Sequence, residues 1–176
     1  MLAIDTKTNS LAGSAPISNN NTGIAVSPAQ HRIYISDRIF GRLTILDSDT
    51  LQVLAVKSYL GTTGFLPFTT KVVVSDVDRS LYVSYVDAAG NFTLAVMDRN
   101  GDLQSTLTYA GFSNGLDISN NHRYLVTGDG RVISSQTLGV VADLPTGLGE
   151  FQVNFAQNGQ QVYITNYNST FVTVIE

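Results

Sequence analysis

Along most of the chain, apolar and polar residues alternate in short runs, each closed by glycine, proline, asparagine, aspartate or serine. That is the pattern of half-buried β-strands joined by tight turns. One phrase recurs four times: an apolar strand, a polar turn, then a short strand centred on tyrosine. The first unit runs Gly23-Ile24-Ala25-Val26-Ser27, turns through Pro28 to Arg32, and continues as Ile33-Tyr34-Ile35-Ser36. The second pairs Lys71-Val72-Val73-Val74-Ser75 with Leu81-Tyr82-Val83-Ser84, and the third pairs Gly115-Leu116-Asp117-Ile118-Ser119 with Tyr124-Leu125-Val126-Thr127. The fourth pairs Phe151-Gln152-Val153-Asn154-Phe155 with Val162-Tyr163-Ile164-Thr165. β-Branched and aromatic residues fill these runs, so each unit is expected to open as an antiparallel hairpin.

A third strand follows each hairpin, at residues 43–46, 92–97, 131–134 and 171–175, and three of these end in an acid (Asp47, Asp98, Glu176). Outer strands are expected at residues 53–58, 103–109 and 140–144. No segment sustains a helical period. Four-strand units at a period of roughly 40 residues predict an all-β chain arranged as a β-propeller, with four-stranded antiparallel blades. The units fall at approximately 1–20, 21–68, 69–112, 113–148 and 149–176 within a single domain or propeller segment.

Tyr163-Ile164-Thr165-Asn166 resembles the Tyr-Val-Thr-Asn signature of the YVTN-type β-propeller repeats. Ile24-Ala25-Val26-Ser27-Pro28 resembles the family's strand-plus-Ser-Pro opening, and Ile4-Asp5-Thr6-Lys7-Thr8 its Ile-Asp-Thr close. The likeness spans nearly the whole chain and implies a fold. The third unit departs from it: Asp117 sits inside its first strand and Ser134-Ser135 stands where the others carry an acid, so this blade is expected to be short or irregular.

The chain begins and ends in the same phase. Residues 2–5 read as a third strand and 11–17 as a fourth, while the C-terminal unit supplies a first, second and third. The terminal strands are therefore expected to form a composite or partner-completed blade, with one third strand redundant. A four-bladed ring, half of an eight-bladed ring made by two copies, and a segment of a longer propeller are the three closures this allows. An exposed strand edge has to be hidden or covered, which favours a segment completed by a partner or by further chain.

Charge and composition narrow the function classes. Lys+Arg 10 against Asp+Glu 14 leave a net charge of −4, and no basic cluster offers a footprint for nucleic acid. Charged residues reach 14%, against about 25% in typical soluble domains. The polar surface is built from Thr, Ser, Asn and Gln, as in secreted and cell-surface modules. Zero cysteines exclude disulfides and thiolate chemistry. No stretch approaches the ~20 apolar residues of a membrane helix. Met1-Leu2-Ala3-Ile4-Asp5 meets an acid at once, unlike a signal peptide.

In a propeller, the turns leading into first strands and those between second and third strands share one face. The candidate binding face is thus built from residues 18–22, 37–41, 62–70, 87–91, 110–114, 128–130, 146–150 and 166–170. Phe65 and Phe68 make its longest loop apolar, which suits a protein partner or a lid over the channel, and Asn114, Glu150 and Asn166 add polar groups. Phe112-Ser113-Asn114-Gly115-Leu116 is similar to the Asn-Gly-Leu step of gluconolactonase and regucalcin-like propellers. That likeness implies a divalent metal such as Ca2+ at the axis, held by Asn114 and Glu150 with Asn21 or Asn154 nearby; Asn-Gly is equally an ordinary turn dipeptide. Asp98-Arg99-Asn100-Gly101-Asp102 reads as a hairpin turn, Asp76-Val77-Asp78 as a solvated turn, and His31 and His122 as repeat-equivalent turn residues with no nucleophile or acid beside them in sequence. Asn20, Asn91 and Asn168 open Asn-x-Ser/Thr triplets in turns, which are glycan acceptors in a glycosylating compartment.

The expectation is therefore a non-catalytic extracellular or cell-surface module that needs no cofactor. It binds a protein or glycan ligand, or self-associates through edge strands. The alternative is a metal-dependent, lactonase-like hydrolase.

Overall fold

The computed structural model describes residues 1–58, 71–87, 89–110, 113, 115–144, 150–166, 170 and 172–176, with the backbone alone at 150, 151 and 166. Five antiparallel sheets follow one another in chain order. β1 (Leu2–Asp5) and β2 (Ser10–Ser14) form a two-stranded sheet. β3 (Asn21–Ser27), β4 (Arg32–Asp37), β5 (Arg42–Asp47) and β6 (Val53–Ser58) form blade 1 as a simple meander. Blade 2 is β7 (Lys71–Val74), β8 (Leu81–Val86), β9 (Asn91–Met97) and β10 (Leu103–Ala110). Blade 3 is β11 (Leu116–Ile118), β12 (Tyr124–Thr127), β13 (Arg131–Ser134) and β14 (Val140–Asp143). The C-terminal sheet has three strands, β15 (Glu150–Phe155), β16 (Val162–Asn166) and β17 (Val172–Ile175). The described residues contain no α-helix, only one 3-10 turn at Pro28–Gln30.

The sheets stack face to face as the blades of a β-propeller, and the core lies between them. Tyr34, Leu43 and Ile45 of blade 1 pack against Val72, Leu81, Val83, Ala95 and Met97 of blade 2. Tyr82, Phe92, Leu94 and Val96 of blade 2 pack against Leu116, Leu125 and Ile133 of blade 3. Val126 and Val132 of blade 3 meet Val153, Ile164, Phe155 and Ile175 of the C-terminal sheet. On the near side, blade 1 packs Ile33, Ile35 and Leu46 against Met1, Ala15 and Ile17. Every blade thus has a rear face toward its predecessor and a front face toward its successor, as strand alternation dictates.

Two local rules repeat. The residue that ends each third strand caps the following turn with its own side chain, as Asp and Ser do in Asx and ST turns. Asp5 accepts Lys7 N–H at 2.8 Å, Asp47 accepts Thr50 N–H at 2.8 Å, Asp98 accepts Asn100 N–H at 2.8 Å, and Ser134 accepts Thr137 N–H at 3.3 Å. The same turns place one residue in the left-handed region: Asn9, Leu51, Gly101 and Leu138. The turn between first and second strands does likewise, at His31, Arg79, His122 and Gly159. The 98–102 segment is accordingly the hairpin turn the sequence suggested, closed by Gly101 N–H on Asp98 O at 2.9 Å.

Three expectations need correction. β2 stops at Ser14 and does not run to Ile17, because Pro16 has no N–H to continue a ladder and residues 15–17 fold onto the rear face of blade 1. Of the two forms expected for the last blade, the composite one is not made within the chain, where β1–β2 and β15–β16–β17 are separate sheets; the partner-completed form is untouched by this. Asp76 is not merely solvated, since Ser27 Oγ donates to its carboxylate across the blade 1–blade 2 boundary. Blade 3 does have the shortest inner strand, of 3 residues.

Candidate functional site

The most informative surfaces are the two ends of the arc. Pairing registers align Ile24 with Val72, Leu116 and Val153, each on the rear face of an inner strand. Val72, Leu116 and Val153 are 4%, 5% and 1% exposed, whereas Ile24 is 59% exposed, and Val26 beside it is also open. The cause is plain in the topology. β1–β2 covers the outer part of blade 1's rear face, but among the described residues no inner pair of strands lies beside β1 to cover Ile24 and Val26. A cavity of about 260 Å³ opens there, lined by Met1, Ile17, Gly23, Ile24 and Ile35.

At the other end, no sheet among the described residues packs on the front face of the C-terminal sheet. Tyr163, Val172 and Val174 point outward and are exposed. Tyrosines at this place in the repeat otherwise reach the next blade: Tyr34 donates its hydroxyl to Arg99 O at 3.2 Å. Tyr82 packs into the blade 2–blade 3 core, and burial pushes its pKa up to about 12. Tyr163 instead donates to Gln161 of its own hairpin at 2.9 Å. Both open ends carry a free strand edge, one on β1 and one on β17.

The loop-bearing face is partly described. Phe65, Phe68, Asn114 and Asn168 lie outside the described residues. The backbone register sets Glu150 opposite Asn166 at the loop-bearing end of the C-terminal sheet, so these two candidates are brought together. Asn91 is tied into its own turn, its backbone N–H donating to Asp87 at 2.8 Å and its side-chain amide to the same carboxylate at 3.3 Å. Asn20 accepts Arg38 N–H through its carbonyl at 3.1 Å, and its side chain is partly buried. Among the described residues no group of three or more His, Asp or Glu side chains is placed to hold a metal ion.

Sequence reasoning missed a polar cluster on this face between blades 2 and 3. The Arg131 guanidinium lies 3.7 Å from the Tyr109 ring centroid, with Asp129 at 3.6 Å and Asp143 at 3.8 Å. Thr127 donates its hydroxyl to Asp129, and Phe92 stacks on Tyr109 with ring centroids 4.8 Å apart. Burial raises the Tyr109 pKa, so the ring stays a neutral donor and a cation-π partner. The signal was faint: Gly128-Asp129-Gly130 announces a turn, but nothing in it says that Tyr109 of the previous blade stacks there.

Near the axis, Lys71 Nζ donates to Gln152 Oε1 at 3.1 Å, reaching past blade 3. Gly115 is the equivalent position on the intervening strand. The histidines behave as turn residues. Both are left-handed, and His31 Nδ1 finds Asp49 Oδ2 at 2.8 Å, an acid partner that spacing alone had not suggested. The chemistry such an arrangement performs is mechanical: carboxylates cap turns and clasp neighbouring blades, while the open surfaces are apolar sheet.

No family model matches the chain, and no curated protein matches it. Solved structures do. The chain is similar to a protein of unknown function from Bacteroides caccae, with a TM-score of 0.62, 12% identity, and coverage of 98% of this chain and 67% of that one. It is similar to the β-propeller domain of Cps50 (Swd1) from Myceliophteria thermophila, with a TM-score of 0.70, 10% identity, and coverage of 97% and 56%. It is also similar to dihydro-heme d1 dehydrogenase NirN solved in complex with DHE, with a TM-score of 0.71, 18% identity, and coverage of 99% and 39%. At these identities the likeness is one of fold, and the fold is a β-propeller. The chain spans roughly half the length of these structures, from 39% to 67%.

Proposed function

We propose that this chain is a non-catalytic binding and assembly module, of YVTN-like repeat character, that works at the cell surface or outside the cell. The observation that carries the reading is Ile24, exposed at a position whose three repeat equivalents are buried. Burying apolar area of this kind is worth roughly 1.5–3 kcal/mol for each large side chain, so the open ends favour association. The low charge of 14% and the Ser, Thr and Asn-rich surface support an extracellular setting, where Asn20 and Asn168 would be glycan acceptors. Loops on the rigid face, including Phe65 and Phe68, supply a surface for a protein or glycan ligand.

Size-exclusion chromatography with light scattering tests the assembly. The chain runs above its monomer mass of 18.9 kDa, and a monomer at every concentration would overturn the reading. A metal-dependent hydrolase with the metal held by Asn114 and Glu150 is the rival, and Glu150 lies at the start of the inner strand β15. Calcium should then raise the melting temperature, and Glu150→Gln should remove that effect. No shift on calcium addition ends the rival.

A further inference from the structure

We propose that a second copy of this chain completes the open ends by strand exchange, with β1–β2 of one copy extending the β15–β16 hairpin of the other and β1 taking the place of β17. The exchange rests on the assembly function proposed above and specifies its partner and its geometry.

The two strands are the same element seen twice. Ile4-Asp5 aligns with Ile175-Glu176, which sets Ala3 against Val174 and Leu2 against Thr173. Their burial is complementary. In β1 the rear-facing Leu2 and Ile4 are exposed, while Met1 on the front side packs on blade 1. In β17 the rear-facing Ile175 packs on blade 3, while Val172 and Val174 on the front side are exposed. Each strand has covered the face that the other leaves open. One third strand with blade 3 of one copy behind it and blade 1 of the other in front of it is covered on both sides.

The remaining pieces fit the same construction. A blade made of β15–β16 and the second copy's β1–β2 has four strands, the number found in each complete blade. Its inner hairpin brings Asn154 and Tyr163 over Ile24 and Val26 of the second copy. These are the repeat equivalents of Val73 and Tyr82, which cover Leu116 and Ile118 at the blade 2–blade 3 junction. Replacing β17 by β1 conserves the ladder, because the register that pairs Val162 with Ile175 and Ile164 with Thr173 now pairs Val162 with Ile4 and Ile164 with Leu2. The fourth strand is then gained through β2. Two such blades close a two-fold symmetric ring in which β1 is paired on both edges, and each β17 is released from its ladder. The chain's own ends are not the donors: they form separate sheets, and while β3 packs on β7, β7 on β11 and β11 on β15, no comparable packing joins β15 back to β3 among the described residues.

The test uses the full chain, which has no native cysteine. Residues directly opposite in an antiparallel ladder lie about 4.5–5.5 Å apart at Cα, within reach of a disulfide. The double variant Ile4→Cys, Val162→Cys should therefore oxidise to a covalent dimer on a non-reducing gel. Ile4→Lys, at a residue already exposed in the single chain, should leave the fold intact by circular dichroism and weaken the dimer by about tenfold or more in Kd. Val174→Lys should leave the dimer unchanged, because β17 is displaced in it. A disulfide that forms within a monomer overturns the second copy in favour of self-closure. A dimer that resists crosslinking, or that Val174→Lys disrupts and Ile4→Lys spares, overturns the exchange but leaves the assembly function standing. A strict monomer with no crosslink overturns both.

Discussion

Asp117 Oδ2 accepts the backbone N–H of Phe155 at 2.7 Å, a hydrogen bond that ties the inner strand of blade 3 to the inner strand of the next sheet. Its other oxygen takes Ile118 N–H at 2.8 Å. Val73 of blade 2 and Ala25 of blade 1 hold the same front-facing place and pack by apolar contact, so an acid here is a substitution within the repeat for a polar clasp.

Burial raises the Asp117 pKa, and the two N–H donors only partly oppose it. A carboxyl that holds its proton more tightly when folded contributes most in acid, and that contribution is lost as the pH rises through the raised value. Asp117→Asn removes the ionisation and keeps one acceptor. The stability of the Asn variant relative to the parent should therefore climb with pH from about 4 upward. Asp117→Ala strands the Phe155 N–H and should fall about 1–3 kcal/mol below the Asn variant. Denaturant melts at several pH values check both, and a flat Asn-to-parent difference would contradict the assignment.

Gly115 governs how closely blade 3 approaches its successor. A Cβ at this position would lie 3.0 Å from Gly128 Cα and 3.0 Å from Val153 N, both backbone atoms that cannot rotate away. Gly115→Ala should cost about 1–3 kcal/mol through overpacking. Gly90→Ala is the contrasting control: its Cβ would meet nothing within 4 Å, and only its φ of +83° opposes the change. Equal losses at the two sites would show that backbone conformation, not crowding, sets the cost at 115.

The hairpins, the third strands and the four-fold repetition were readable because each is a local pattern of period two closed by turn residues, but the tyrosine alignment holds in three units only: in the third, the register puts Val126 at that place and Tyr124 two residues before it. The relations across blades were not. Asp117 to Phe155, Arg131 to Tyr109 and Lys71 to Gln152 join residues whose proximity depends on how sheets stack, and alternation along one strand carries no record of that. The end of β2 was misread for a different reason: Leu11, Ala12, Ala15 and Ile17 look like one strand unless Pro16 is given the weight its missing N–H demands. For the candidate face, Glu150 and Asn166 could be paired from the hairpin register alone, whereas the Asp129–Arg131–Tyr109 cluster arises only from the stacking of blade 3 on blade 2.

The turn caps predict an acid-sensitive fold. The backbone N–H and hydroxyl of Thr50 hold the Asp47 carboxyl below its ordinary range, and the N–H of Asn91 does the same for Asp87. A depressed carboxyl contributes above its unfolded pKa, near 4, and that contribution disappears as the pH falls through the lower folded value. Asp47→Ala should lower the melting temperature at pH 7 and converge with the parent in strong acid. A difference that stays constant down to pH 2 would mean the side chain acts by something other than its charge.

Arg79 offers a stabilising change. It sits at φ 62°, the left-handed place that Gly159 fills in the C-terminal hairpin, and its side chain is exposed. A non-glycine residue in this region costs roughly 1–2 kcal/mol, while glycine adds about 0.5–1 kcal/mol of backbone entropy to the unfolded chain. Relief outweighs the entropy, so Arg79→Gly should raise stability by up to about 1 kcal/mol. Leu51 and Leu138 are also left-handed, but both pack against the cores between sheets, and their replacement by glycine should destabilise by more than the strain it removes. Thermal and denaturant unfolding of the three variants decides the matter: a loss at Arg79→Gly as large as that at Leu138→Gly would mean that the Arg79 side chain, and not its backbone, is what the turn requires.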